Sequence, residues 1–280
     1  MQELRTHPFL TEIPNNYFKA SPLIQCITNE ITCESMANAL LYVNSKPIMA
    51  DDPREFDELF RQTGGLVLNL GHLSKERETQ LLTASQYAVV TNKPVVVDAV
   101  GVSATTLRKE LALKLLDNHP TVMKGNASEM RSLCGLVSRG RGVDGHVSDQ
   151  TKEALSELGE QLKLLSYDYP ETSFLATGKI DVVASRGSVW YLDNGVPYLD
   201  QITGTGDIVG ALIASLLSQT NTDSDAVIGA VSYFNICGER ALANCSTPIG
   251  MEEFRYHLFN ELSYVHDIIP WWDDVKGEVR

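Results

Sequence analysis

The chain lacks paired cysteines at CxxC spacing, any long basic run and any long apolar segment, and each absence removes a class of protein. Its five cysteines, Cys26, Cys33, Cys134, Cys237 and Cys245, are odd in number and scattered. That pattern suits neither a disulfide framework nor a zinc site, and fits the buried, reduced thiols of a cytosolic protein. No stretch reaches the roughly 18 apolar residues a membrane span requires. Met1–Lys19 has neither the basic flank nor the apolar core of a signal peptide. A cytoplasmic, soluble protein without a membrane partner is the expectation. The formal net charge of -13 argues against nucleic acid and anionic lipid, which need a basic patch. Low-complexity tracts, solenoid repeats and Pro/Gly/Ser-rich linkers are missing too, so a single domain over residues 1–280 is expected.

What is present is an ordinary globular composition, 43% apolar against 21% charged, in a length that one α/β core can hold. Elements alternate along the first half. A helix through Glu34, Met36, Leu40 and Tyr42, with Thr28 or Asn29 as its cap, precedes a short strand at Lys46–Ala50. Asp52 before Pro53 starts another helix. Gly65–Leu70 and Pro94–Asp98 are apolar runs of strand length, and Thr121–Lys124 is a shorter one. Leu73–Thr91, Ser103–Asn118 and Asn126–Cys134 read as helices, the last capped by Asn126. Continuous apolar strands followed by amphipathic helices indicate a mostly parallel sheet covered on both faces. Ser138–His146 is Gly-rich and charged and reads as a loop. The pattern then changes to short strands at Ser173–Ala176, Asp181–Ser185, Ser188–Leu192 and Val196–Tyr198. Thr177-Gly178, Arg186-Gly187 and Asn194-Gly195 separate them, which indicates an antiparallel edge. Three helical stretches follow, Asp207–Leu217, Ser224–Ala243 and Met251–His266.

Ligands of such sheets gather at the carboxyl ends of the strands. The polar residues there are Asn69 with Gly71, Asp98, Lys124 with Asn126, and Thr177 with Gly178. Asp98 suits a metal or phosphate site and equally a helix cap. Lys124 suits a phosphate and equally open solvent; Glu129 suits a site and equally the first turn of a helix. Thr203-Gly-Thr-Gly-Asp207 is the segment richest in chemistry. Its glycines let backbone N–H groups share one concavity for an anion, and the apolar helix that follows brings its positive end to the same place. Asp207 stands there to accept a proton from an attacking hydroxyl, although a Gly-rich turn with a capping Asp has the same pattern. No GKS/T follows the glycines, so this is not a Walker loop, and it comes too late in the chain for a dinucleotide fingerprint.

The Gly-Thr-Gly-Asp segment resembles the anion hole of the ribokinase-like superfamily. Further segments, in order, resemble one family within it. Pro22-Leu-Ile-Gln-Cys-Ile-Thr-Asn29 is similar to PLVHCITN, Met36–Leu41 to ANALL, Pro47–Ala50 to SPIMA, and Leu66–Gly71 to LVLNIG. Lys124–Glu129 matches KGNASE, and Ala176–Gly178 is similar to ITG. These segments, spread over about Pro22 to Leu262, resemble the hydroxyethylthiazole kinase family of thiamine salvage. The resemblance implies a ribokinase-like three-layer fold, with a mostly parallel central sheet, helices on both faces and an antiparallel edge. It implies phosphorylation of 4-methyl-5-(2-hydroxyethyl)thiazole by ATP with Mg²⁺, in a homotrimer with active sites between subunits. By position, it implies Asp207 as catalytic base and Gly204, Thr205 and Gly206 as the anion hole. Met49, Gly204, Asn29 and Gly71 correspond to substrate positions, Lys124 and Thr177 to ATP-phosphate contacts, and Asp98 and Glu129 to metal-site acids.

The chain departs from the family pattern at its substrate rim. Gln25 stands for the usual His, Asn44-Ser-Lys-Pro47 for Gly-Ala-Ser-Pro, and Ala99 for the Pro after Asp98. Gly178-Lys-Ile-Asp181 replaces Gly-Glu-Val-Asp. The rival readings are a sister kinase for a hydroxymethylpyrimidine, an ATP-dependent dehydratase for hydrated nicotinamide cofactors, and a silent binder of thiazole or thiamine precursors.

Overall fold

A computed structural model describes residues 2–3, 18–138, 140, 145–219, 222–268 and 271–280. The first half runs β1 (Gln2–Glu3), β2 (Leu23–Ile27), α1 (Cys33–Tyr42), β3 (Lys46–Ile48), α2 (Phe56–Leu59) and β4 (Gly65–Asn69). It continues through α3 (Lys75–Thr91), β5 (Val95–Asp98), α4 (Thr106–Leu116), β6 (Val122–Asn126) and α5 (Ala127–Leu133). After α6 (Lys152–Asp168) come β7 (Ser173–Thr177), β8 (Asp181–Ser185) and β9 (Ser188–Leu192). The chain closes with α7 (Thr205–Leu217), α8 (Asp223–Ala243), α9 (Met251–Ile268) and β10 (Gly277–Val279).

The helices begin where the sequence offers side-chain acceptors. Ser74, Thr105, Asn126, Thr151 and Thr222 each accept a backbone N–H three residues on, at the starts of α3, α4, α5, α6 and α8. The strands bury both faces. Leu66 and Leu68 of β4 point to one side and Val67 to the other, and the same alternation runs through the neighbouring strands. Two hydrophobic clusters result. One packs under α1, α7, α8 and α9 and contains Ile24, Val67, Val96, Val122 and Leu175. The other packs under α2 to α6 and contains Ile27, Leu66, Leu68, Val97 and Met123. The layers are helix, sheet, helix.

The sheet order is β1-β10-β9-β8-β7-β6-β5-β4-β2-β3. Strands β2 to β7 are parallel, and the β7 to β1 side is antiparallel. From β2 the chain steps outward to β3 and then returns to the far side of β2 as β4. The two crossovers lie on opposite faces, α1 on one and α2 on the other. Such a reversal, at the carboxyl ends of β2 and β4, is where α/β sheets bind ligands.

Several elements differ from the sequence expectation: α6, β1 and β10 were not foreseen, and α1 starts after Thr32 rather than after Thr28 or Asn29. Leu23–Ile27 is an internal strand of the sheet, although Gln25 interrupts its apolar run; the Gln25 side chain is fully buried and its Nε2 donates to Ala50 O at 2.9 Å. Val196–Tyr198 is not a strand, because Pro197 opens a 3-10 turn through Gln201. The edge of β9 that it would have paired with is taken by β10. Asn194, read as part of a hairpin turn, is instead the clamp that holds this last strand. Its Oδ1 accepts Lys276 N at 2.7 Å, and its Nδ2 donates to Asp274 O at 3.0 Å and to Glu239 Oε1 at 3.1 Å. Of the expected Ser138–His146 loop, residues 139 and 141–144 lie outside the described residues. Removing a buried side chain with three such bonds leaves partners unpaired, so Asn194→Ala should lower unfolding free energy by about 1–3 kcal/mol, measured by urea denaturation. Wild-type stability in that variant would remove Asn194 as the anchor of β10.

Candidate active site

Helix α7 is apolar around its circumference and buried from Asp207 to Leu216. It crosses the sheet with its N-terminus at the carboxyl ends of the strands. Its first intrahelical bond runs from Ile208 N to Gly204 O at 2.9 Å, so the amides of Thr205, Gly206 and Asp207 precede the ladder and face outward along the axis. Gly204 caps the helix at φ 91°, a left-handed conformation that favours glycine. A Cβ there would also stand 2.5 Å from Thr32 Cγ2. Gly206 leaves its side open toward Lys124, whose Nζ would lie 3.7 Å from a Cβ at that position.

Three side chains converge on the Asp207 carboxylate. Asn69 Nδ2, at the end of β4, donates to Oδ1 at 3.0 Å. Asn29 Nδ2, just after β2, donates to Oδ2 at 2.9 Å, and the Thr32 hydroxyl donates to the same oxygen. Asn29 is itself held by the amides of Ile31 and Thr32, which donate to its Oδ1 at 3.0 and 3.1 Å. Gly71 N donates to Asn69 Oδ1 at 2.8 Å, and a Cβ on Gly71 would lie 2.7 Å from that oxygen. Asp207, Asn29, Gly71 and Gly204, named from sequence, are therefore brought together at the switch point between β2 and β4.

The residues that the sequence resemblance assigns to phosphates and metal form an adjoining group. Strand register sets Asn69 beside Asp98, Asp98 beside Lys124, and Asn126 beside Thr177. Lys124 is 2% exposed and pairs with Asp98 Oδ2 at 2.7 Å. Burial pushes the Asp98 carboxyl above its ordinary pKa, Lys124 opposes the rise, and the Asp207 charge adds to it. Glu129 forms a capping box with Asn126, and its two oxygens accept Asn126 N and Gly101 N, each at 2.6 Å. Burial, then the charge of Asp98, raises its pKa to about 7 against the pull of those amides and Lys124. Thr177 Oγ1 lies 3.4 Å from Gly125 O. Met49 is half-buried just past β3, across β2 from this group.

Among the described residues no set of three His, Cys, Asp or Glu is gathered as a metal cage. Asp98 and Glu129 are two hard oxygen donors whose ionised forms burial disfavours, a donor set that suits Mg²⁺ held jointly with phosphate oxygens.

Sequence reasoning missed Thr32, which stands three residues after Asn29 with no motif of its own. It also missed Arg108, whose guanidinium donates to Leu70 O and, at 3.1 Å, to Val100 O, joining the turns after β4 and β5. The capping threonine before α4 and the helical position of Arg108 were legible; its reach across the strand ends was not.

A family model described as the hydroxyethylthiazole kinase family matches residues 15–267. The chain belongs to the hydroxyethylthiazole kinase family. It is 56% identical to the hydroxyethylthiazole kinase of Enterococcus faecalis over 259 residues, 92% of this chain and 94% of that one. Identity to the Lacticaseibacillus casei hydroxyethylthiazole kinase is also 56%, over 271 residues, 96% of this chain and 95% of that one. The solved hydroxyethylthiazole kinase of Pyrococcus horikoshii superposes with TM-score 0.78 at 26% identity, covering 92% of this chain and 93% of that one. A Staphylococcus aureus pyridoxal kinase, in complex with AMP-PCP and pyridoxal, shares the fold with TM-score 0.61 at 14% identity, covering 93% and 99%. The ribokinase-like architecture expected from sequence is the one found.

Asp181 opens β8 behind the turn that follows Thr177, and burial raises its pKa to about 7. An acid whose folded pKa exceeds its unfolded value of about 4 holds a proton in the fold that the unfolded chain releases. Stability is then fully present below that unfolded value and declines as pH rises through about 7. Asp181→Asn, uncharged throughout, should flatten the fall in Tm between about pH 5 and 8 seen by thermal denaturation of the wild type. An unchanged slope would exclude Asp181 as a contributor.

Proposed function

We propose that this chain transfers the γ-phosphate of ATP to the primary hydroxyl of 4-methyl-5-(2-hydroxyethyl)thiazole, in thiamine biosynthesis or salvage, as a single kinase domain over residues 1–280. The observation that carries the reading is the convergence of Asn29, Thr32 and Asn69 on Asp207, at the helix end whose leading amides are open. Family membership supports the substrate.

In this mechanism the thiazole lies near Met49, Asn29 and Gly71 with its hydroxyl directed at Asp207. The Thr32 hydroxyl donates to Asp207 in the way a substrate hydroxyl must before handing over its proton. Asn29 and Asn69 keep the carboxylate in place as that exchange occurs. The Thr205, Gly206 and Asp207 amides, with Gly204 shaping the turn, stabilise charge on the phosphoryl group in flight. Lys124 and Thr177 contact the ATP phosphates. Asp98 and Glu129 would hold Mg²⁺, which screens phosphate charge. Phosphoryl transfer asks for positioning and electrostatics more than for covalent chemistry, and this arrangement supplies both.

A homotrimer with sites between subunits accords with Met49 lying beside β3, the outermost strand on that side of the sheet. Ile31, 76% exposed next to Asn29, adds an apolar surface at the same margin. A cytoplasmic location accords with reduced cysteines and with no helix among the described residues being long and apolar enough to cross a membrane.

Incubation with ATP, Mg²⁺ and either the thiazole alcohol or hydroxymethylpyrimidine should yield ADP and a phosphate-bearing product from the thiazole alone, read by mass. Phosphorylation of the pyrimidine instead would reassign the substrate. ATP hydrolysis coupled to NADH recovery would mark the dehydratase, and binding without turnover a silent binder. Asp207→Ala should lower kcat by at least ~100-fold, the low end of general-base effects. Unchanged kcat would remove Asp207 from the chemistry.

A further inference from the structure

We propose that Asp181 and Gln150 are positioning residues for the ATP phosphates, acting through the turn that joins β7 to β8. The inference rests on the ATP site proposed above. That turn follows Thr177 at the carboxyl end of β7, where Thr177 pairs in register with Asn126. Its conformation is set from two sides. Asp181 Oδ1 accepts Gly178 N at 2.9 Å, and Gln150 Oε1 accepts Lys179 N at 2.7 Å. Gln150 ends a 3-10 turn, Val147–Gln150, that precedes α6, so the second hold comes from a separate part of the chain. The fit is close, since a Cβ on Gly178 would lie 3.1 Å from Gln150 Oε1.

Asp181 is anchored in turn. Its Oδ2 accepts Asn235 Nδ2 of α8 at 2.7 Å, and its side chain is 3% exposed. The facing charges are Asp200, from the turn Pro197–Gln201, and Lys124 of β6; neither is among its hydrogen-bond partners. A carboxyl buried without a bonded cation is a poor device for stability, which an apolar side chain of equal volume would serve better. What it does supply is two fixed acceptors, one toward the turn and one toward α8. With the Gly178 and Lys179 amides already bound inside the protein, phosphate oxygens on this side meet the Thr177 hydroxyl, while the free amides are those of α7. The clamp thus assigns one role to each wall of the phosphate site.

The test uses the full chain, with ATP affinity measured by calorimetry alongside steady-state kinetics in which each substrate is varied. Asp181→Ala should weaken ATP binding and raise KM for ATP by about 10-fold, the size of a lost charge-assisted bond, while KM for the thiazole stays within about twofold. Asp181→Asn keeps an acceptor for Gly178 N and can pair with a reoriented Asn235 amide, so it should return ATP affinity to within about threefold of wild type. Gln150→Ala, at a half-buried site that leaves the sheet intact, should raise KM for ATP by about fivefold. Unchanged ATP affinity in Asp181→Ala and Gln150→Ala overturns the proposal, and so does an equal rise in both KM values. Wild-type chain that binds ATP yet leaves the thiazole unphosphorylated would sink the substrate reading, while the ATP affinities of the variants would still decide this one.

Discussion

One carboxylate ties together residues from distant parts of the chain. Asp207 begins α7, Asn69 ends β4, and Asn29 and Thr32 lie between β2 and α1. The separation in sequence is as much as 178 residues. A carboxylate brought to 8% exposure needs donors, and the reversal of strand order between β2 and β4 is what delivers them. The same reversal is where α/β sheets bind ligands, so the demand for hydrogen bonds and the place for a binding site come from one feature of topology. Gly71 and Gly204 are small because side chains there would displace members of this network.

Beside it lies an electrostatic problem. Burial raises the proton affinity of Asp98 and Glu129, the charge of Asp207 adds to the first and that of Asp98 to the second, and Lys124 is the basic group set among them. The chain carries a net charge of -13, and under the proposed function it receives a polyanion at this place. On the proposed reading, open helix amides, the lysine and a divalent cation on the two acids would be the means available to a protein with so few positive charges to spare.

Much of this was legible in the sequence. β-branched runs marked β5 and β8, and Asn126 marked the start of α5, while α6 was not foreseen because no cap or apolar repeat was read between His146 and Ser173. The Gly-Thr-Gly-Asp segment announced the α7 terminus because glycine, acid and apolar helix are local features. The signal failed where a residue's role depends on distant partners. Gln25 obscured β2 because its polarity hides a buried hydrogen bond to Ala50. Asn194-Gly195 has a hairpin's composition but answers to Lys276 and Asp274, some 80 residues on. Thr32 is one threonine among many until the fold sets it against Asp207. Motif similarity assigned site roles to Asp98, Lys124 and Glu129 where local physics alone left them open between structural and chemical roles.

The margin of the sheet beyond β2 is three residues long, and its middle residue is Pro47. A strand with a missing N–H and an exposed lysine at its start makes a poor template for another strand. Copies of the chain that meet along this side would have to recognise each other by side-chain packing and leave each sheet separate. The short, blunted margin thereby guards the folded chain against edge-to-edge pairing and open-ended polymerisation.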